Sequence, residues 1–179
     1  MEKRIRKHFS RELENIKKLI LSLGTMVEER VRMATKAIED NDAILAQQII
    51  KSDYEVDEME VDIEEECLKV LALHQPVAVD LRFIIAVIKI NNELERIGDQ
   101  AVNIAHKAVV LAEEPPVEVP FDLDAMWKKT QAMLRDSLDS MVNLDMALAD
   151  DVRQRDDEVD AMKHDIRMTA EEMIRQDPQ

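Results

Sequence analysis

Residues 42–63 and 145–166 are one segment written twice. At a shift of 103 residues, with no gap, ten of 22 positions are identical: Asp42, Leu45, Ala46, Asp53, Glu55, Val56, Asp57, Met59, Asp62 and Ile63. Repetition at a fixed spacing restricts the chain to a duplicated supersecondary unit. The unit is helical, because apolar residues recur in steps of three and four. Phe9, Leu13, Ile16, Ile20, Leu23, Val27, Val31, Ala34 and Ile38 make the stripe of a first helix, with Ser10 as its expected cap. Leu45, Ile49, Val56, Ile63, Cys67 and Val70 mark a second, over residues 43–73. Ile84, Val87, Ile90, Leu94, Ile97, Ala101, Ile104 and Ala108 mark a third, over residues 78–112. A fourth helix is predicted over residues 123–149 and a fifth over 152–175. Helices one and two therefore recur as helices four and five, and the third has no counterpart.

The breaks between these stripes have chemical causes. Asp40-Asn41-Asp42 ends one helix and caps the next, and Pro76 disfavours helix in the residue before it. Pro115, Pro116 and Pro120 exclude a helix between the halves. The expected fold is all-α, a tandem repeat of antiparallel three-helix bundles. The first bundle covers residues 1–114, a Pro-rich linker 115–122, and a second bundle lacking its third helix 123–179. The apolar face of that second bundle is expected to be incomplete, and a homodimer is the expected way of covering it.

Composition removes several function classes. A net charge of −15 repels a phosphate backbone, so no nucleic-acid partner is expected. Gly24 and Gly98 are the only glycines, too few for a P-loop or a dinucleotide fingerprint, and no G-x-S-x-G is present. Cys67 is the only cysteine, which suits a core position and a reducing, cytoplasmic location. The longest apolar run, Phe83 to Ile88, is far too short for a membrane span. At most peripheral membrane contact is expected, through Lys3, Arg4, Arg6, Lys7 and Arg11. His8, His74, His106 and His164 show no ligand spacing, and no Glu-x-x-His pair of the di-iron kind occurs. The reading is a non-enzyme.

The acids are placed less evenly. On a wheel of about 100° per residue, Asp53, Asp57, Glu60 and Glu64 form one stripe beside the buried face of the second helix. Glu95 and Asp99 flank the buried face of the third. Folding these helices against each other about Pro76 brings Asp53, Asp57, Glu95 and Asp99 level, about 30 Å from the turn. If both flanks face one side, four carboxylates converge, and clustered carboxylates call for a cation or a proton. The Asp53/Asp57 pair is repeated as Asp156/Asp160. Oxygen donors suit Mg, Ca or Mn, with iron also compatible. A solvated acidic face relieved by Arg96 is the plain alternative. Gly98, inside the second pair, implies either a close helix approach or room for a ligand.

Asp80-Leu81-Arg82-Phe83-Ile84-Ile85 and Leu94-Glu95-Arg96-Ile97-Gly98-Asp99-Gln100-Ala101-Val102-Asn103-Ile104-Ala105 resemble the PhoU family. So do Leu71-Ala72-Leu73-His74-Gln75-Pro76-Val77-Ala78 and the tandem layout. The resemblance implies a cytoplasmic negative regulator of phosphate uptake and of the phosphate-starvation response. It implies an adaptor between the ATPase subunit of a phosphate ABC transporter and a sensor histidine kinase, commonly dimeric. It implies metal ions, divalent or trivalent (Fe, Mn, Zn, Mg or Ca), on Glu95 and Asp99, on Asp53 and Asp57, and on Asp156 and Asp160. A metal-storage or redox bundle with a carboxylate cluster is the alternative function.

Overall fold

The computed structural model describes the backbone of residues 2–114 and 121–176, with side chains from residue 7 onward. The expected linker residues 115–120 and the side chains of Lys3, Arg4 and Arg6 lie outside the described residues. Six helices and no strand occur among those described: α1 Glu2–Glu39, α2 Ala43–Lys51, α3 Tyr54–His74, α4 Ala78–Leu111, α5 Leu123–Asn143 and α6 Met146–Gln176. The chain divides into two units, residues 1–115 and 116–179.

In the first unit α1, the α2–α3 arm and α4 pack as a three-helix bundle. Ile16, Ile20, Leu23, Val27, Ile63, Cys67, Val70, Ile84 and Val87 are sealed from solvent along its length. Where α1, α2 and α4 meet, the core is made of small residues, Ala34, Ala37, Ala46, Ala101, Ala105 and Ala108 around Ile49, which lets the helix axes approach closely. The buried seam of α4 runs Ile84, Val87, Asn91, Leu94, Gly98, Ala101, Ala105, Ala108. This is a strict heptad. The sequence stripe is displaced by one residue at three of these positions, because Ile90, Ile97 and Ile104 are the more apolar neighbours but sit only half-buried.

Three predicted boundaries are corrected. The first helix starts at Glu2, so Ser10 lies inside it and is not its cap. The junction of the fourth and fifth helices lies six residues early, with α5 ending at Asn143 and α6 starting at Met146 and not at 152, because Leu144 adopts the left-handed region at φ 55°. Its N–H and that of Asp145 then close on the carbonyls of Met141 and Ser140. The predicted second helix is broken into α2 and α3 at Ser52-Asp53. Ser52 turns its N–H onto Gln48 O and Ile49 O and its hydroxyl onto Gln48 O at 2.8 Å, tightening the last turn of α2. Arg30 of α1, buried at 8% exposure, fills the break. Its guanidinium donates to Ser52 O at 2.7 Å and Ile49 O at 3.5 Å and pairs with Glu55.

The two copies of the repeated segment turn alike. Asn41 and Leu144, at equivalent positions, both have positive φ. Asp42 Oδ1 accepts from Leu45 N–H at 2.9 Å, and Asp145 Oδ1 accepts from the equivalent Leu148 N–H at 3.0 Å. They differ at the break. Arg30 becomes Met133 and Ser52 becomes Arg155, so neither the back-bonding hydroxyl nor the capping guanidinium is present, and α6 runs unbroken. In the second unit Leu138, Ser140 and Val142 of α5 are buried, while α6 has no buried residue among those described. No helix among the described residues is long and apolar enough to cross a membrane.

Candidate functional site

The break at Ser52 and the heptad of α4 together set the acidic stripe. Val56 sits opposite Gly98, and a β-carbon built on Gly98 would meet Val56 Cγ1 at 3.1 Å. Close helix approach, not room for a ligand, is therefore the reason for this glycine. Asn91, wholly buried two turns from Gly98 along α4, donates from its side-chain amide to Glu60 O at 2.7 Å. These two contacts lock α3 against α4 in one register, much as a buried asparagine does in a coiled coil.

With that register, Asp57 and Glu60 of α3 and Glu95 and Asp99 of α4 line one groove, together with Val61, Asn92 and Arg96. Asp57 and Asp99 are exposed, and Asp53, Glu60 and Glu95 are half-buried. Burial, then Asp57 and Asp99, push the Asp53 carboxyl above its ordinary range, against a smaller opposing pull from Arg30. Glu95 is raised by burial and then by Asp99, Asp57, Glu60 and Asp53. Glu60 is raised by burial, Glu64 and Asp57. Asp53, Glu60 and Glu95 are thus disfavoured in their charged forms by burial first and by neighbouring carboxylates second, a condition that a bound cation relieves. Arg96 gives little relief, because its guanidinium is engaged by Glu93 at 2.8 Å. The donor set is all oxygen and suits a hard cation. Glu60 joins Asp57, Glu95 and Asp99 in the lining, its place on the same helical stripe being the available signal; Asp53 feels the charge of Asp57 and Asp99 but is not among the lining residues.

Asp156 and Asp160 are placed differently. Both are exposed on α6, and Lys163 stands 3.4 Å from Asp160. The helix that packs on α6 within this unit is α5, which offers Lys129 to Glu158 and accepts Arg155 on Asp136. No second acid pair is brought to face Asp156 and Asp160 among the described residues of the unit. Cys67 is fully buried, and its thiol is pushed up to about 11 by burial and by Glu64 and Glu66, which leaves it inert as a nucleophile.

The histidines depart from expectation. His8 and His74 converge on Glu12, and the three ligand atoms lie within 4.8 Å of one another. Among the described residues this is the one triad of His, Cys, Asp or Glu that does so, and the groove acids stand further apart. The missed signal was the His8–Glu12 spacing of one helical turn; the partner, His74, is 62 residues from Glu12 in sequence.

The model of one family, the PhoU domain, matches residues 20–108 and 123–179. The chain belongs to the PhoU family. It is 38% identical over 168 residues to the Phosphate-specific transport system accessory protein PhoU homolog of Aquifex aeolicus, covering 94% of this chain and 76% of that one. It is 38% identical over 157 residues to the protein of that name from Pseudomonas aeruginosa, covering 87% of this chain and 65% of that one. The crystal structure of PhoU from Pseudomonas aeruginosa superposes with a TM-score of 0.86 at 36% identity, over 95% of this chain and 82% of that one. That of the phosphate transport system regulatory protein PhoU from Streptococcus pneumoniae gives 0.85 at 28% identity, over 94% and 80%. PhoU proteins carry the names of accessory and regulatory proteins, not of enzymes.

Replacing Gly98 by alanine tests the close approach. Alanine gains about 1 kcal/mol of helix propensity over glycine. Val56, 1% exposed and β-branched, cannot swing aside to admit the new methyl. A net loss of about 1 kcal/mol is expected by urea denaturation. Val56→Ala should absorb the added methyl, so the double variant should be less destabilised than the sum of the singles; strict additivity would contradict the contact.

Proposed function

We propose that this PhoU-family chain is an accessory protein of a phosphate-specific transport system. Its role is that of a cytoplasmic, non-catalytic negative regulator of phosphate uptake and of the phosphate-starvation response. It would act as an adaptor, as a homodimer, between the ATPase subunit of the phosphate ABC transporter and a sensor histidine kinase. The observation that carries the reading is the family match over both units, with relatives named for that transport system. The chain spans 76% and 65% of the two relatives' lengths, so the activity of the longer proteins is carried over as part of the proposal.

Metal enters through the groove acids. Asp53, Asp57, Glu95 and Asp99, with Glu60, would hold one or more hard cations, whose charge offsets the mutual repulsion and sets the spacing of α3 and α4. The net charge of −15 favours docking on a basic face of the transporter's ATPase subunit. Binding to that subunit is then expected to weaken as salt rises.

Phosphatase activity, a reporter of phosphate starvation, tests the regulatory reading. In phosphate-replete cells lacking this gene it should rise, and the wild-type gene should restore repression. Unchanged activity in a strain with no other gene of the family would refute the reading. Bound metal without oxidase activity would separate it from a metal-storage or redox bundle.

A further inference from the structure

We propose a second cation site in the first unit, chemically distinct from the acidic groove: His8 and Glu12 of α1 and His74 of α3 form a two-histidine, one-carboxylate centre for a divalent metal of Zn²⁺ type. The site stands at the other end of α3 from the groove acids. His74 is the last residue of that helix, about 20 Å along its axis from Glu60.

The geometry is close to what a tetrahedral metal needs. Zinc–ligand bonds of about 2.0–2.1 Å put neighbouring donor atoms about 3.3 Å apart. His8 Nδ1 and Glu12 Oε2 are 3.3 Å apart, and His74 Nε2 contacts the same Oε2. A single ion inserted between them needs only a small outward shift of the His74 ring. The donors are also held in place. Glu12 and His74 side chains are 12% and 13% exposed, and the His74 ring packs against Phe9 at 5.1 Å between centroids. His8, 67% exposed, is the solvent-facing third donor, and it lines with Glu12 a surface groove that supplies the entry path.

Two imidazoles and one carboxylate are a borderline-soft set that selects Zn²⁺, Cu²⁺ or Ni²⁺ over Mg²⁺ or Ca²⁺. Three protein ligands leave a fourth position open. Lys7, Arg11 and Lys18 line that groove beside Glu14 and the Glu66–Lys69 pair, so a water is the fitting fourth ligand. The ion would cross-link the start of α1 to the end of α3, a junction spanning 62 residues of sequence between Glu12 and His74.

Copper is the spectroscopic probe. The chelator-stripped full chain should take up Cu²⁺ at a site whose electron paramagnetic resonance shows nitrogen hyperfine structure from two imidazoles, and Zn²⁺ should compete for it only in large excess, copper being the more tightly held ion. His8→Ala and His74→Gln should each weaken that uptake about tenfold or more. Asp57→Asn/Asp99→Asn, in the acidic groove, should leave it unchanged. His8 is exposed, so its alanine variant should keep the helical circular dichroism of the wild type. A copper spectrum without nitrogen coupling overturns the site. So does a nitrogen pattern that survives both histidine variants, which would belong to His106 or His164. Zn²⁺ binding, measured separately by equilibrium dialysis, that is the same in the wild type and in both histidine variants overturns the zinc assignment.

Discussion

Arg30→Met should destabilise the first unit by about 3 kcal/mol, the largest single-site loss expected outside the apolar core. The guanidinium is buried beneath the α2–α3 break, where it satisfies Ser52 O and Ile49 O and pairs with Glu55. Methionine is the natural choice of replacement, being the residue at the equivalent position of the second repeat, Met133. It has about the right length and no donor, so it removes the hydrogen bonds without leaving a large cavity. Ser52 O would keep only the N–H of Glu55, and Ile49 O only the N–H and hydroxyl of Ser52, so each buried carbonyl would lose its charge-assisted partner. Glu55→Ala should cost much less, within about 1 kcal/mol, because the Glu55 side chain is 46% exposed. Urea denaturation of the three proteins measures both. An Arg30→Met variant as stable as the wild type would mean that α2 and α3 join into one continuous helix, as in the second repeat, and amide exchange at residues 52–56 would show it.

The triple variant Asp57→Asn/Glu95→Gln/Asp99→Asn should have opposite effects with and without metal. In metal-free protein it removes like charge and should raise stability at neutral pH. Asp53, Glu60 and Glu95 have folded pKa values raised above their unfolded ones. Their contribution is a penalty, fully present above the folded pKa and gone below the unfolded value near 4. The stability advantage of the variant over the wild type should therefore shrink as pH falls from 7 towards 4. Glu12, Glu29 and Glu158 run the other way: their folded pKa values are lowered, so the stability they add is lost as pH falls. Comparing variant with wild type at each pH cancels these three. With Mn²⁺ or Mg²⁺ present, the order should invert. Cation at a hundred times its dissociation constant stabilises the wild type by about 2.7 kcal/mol, and the variant should lose at least about a hundredfold in affinity. Equal metal stabilisation of both proteins would remove the groove from consideration as a cation site. An advantage that does not vary with pH would remove the repulsion argument.

Much of this architecture was legible before any coordinates. The three arms of the first unit, most of the apolar stripe of α1 and the acidic stripe of the second arm followed from periodicity, because each depends on the face that a residue takes on its own helix. The shift of 103 residues located the duplication. It also held the answer to one missed boundary: the turn at Asn41-Asp42 is built again at Leu144-Asp145. Apolar periodicity ran through Leu144 and hid it, because leucine is a poor left-handed residue by local propensity and is held there by the carbonyl bonds of Ser140 and Met141.

The sequence by itself determined which residues of α1 and of the second arm point inward, where proline and aspartate end helices, and that Asp53, Asp57, Glu95 and Asp99 come level along the bundle axis. Tertiary structure decided the rest. The break in the second arm depends on Arg30, more than twenty residues away, reaching into the backbone of Ser52. The seam of α4 falls on Asn91, Gly98 and Ala105, and not on the more apolar isoleucines beside them, because closeness to Val56 and the bond to Glu60 outweigh hydrophobicity there. His8, Glu12 and His74 meet only through the packing of α1 on α3. Periodicity reports the direction a side chain takes from its own helix; the partner it meets is set by the register and separation of two helices, and that information lies in the contacts between them.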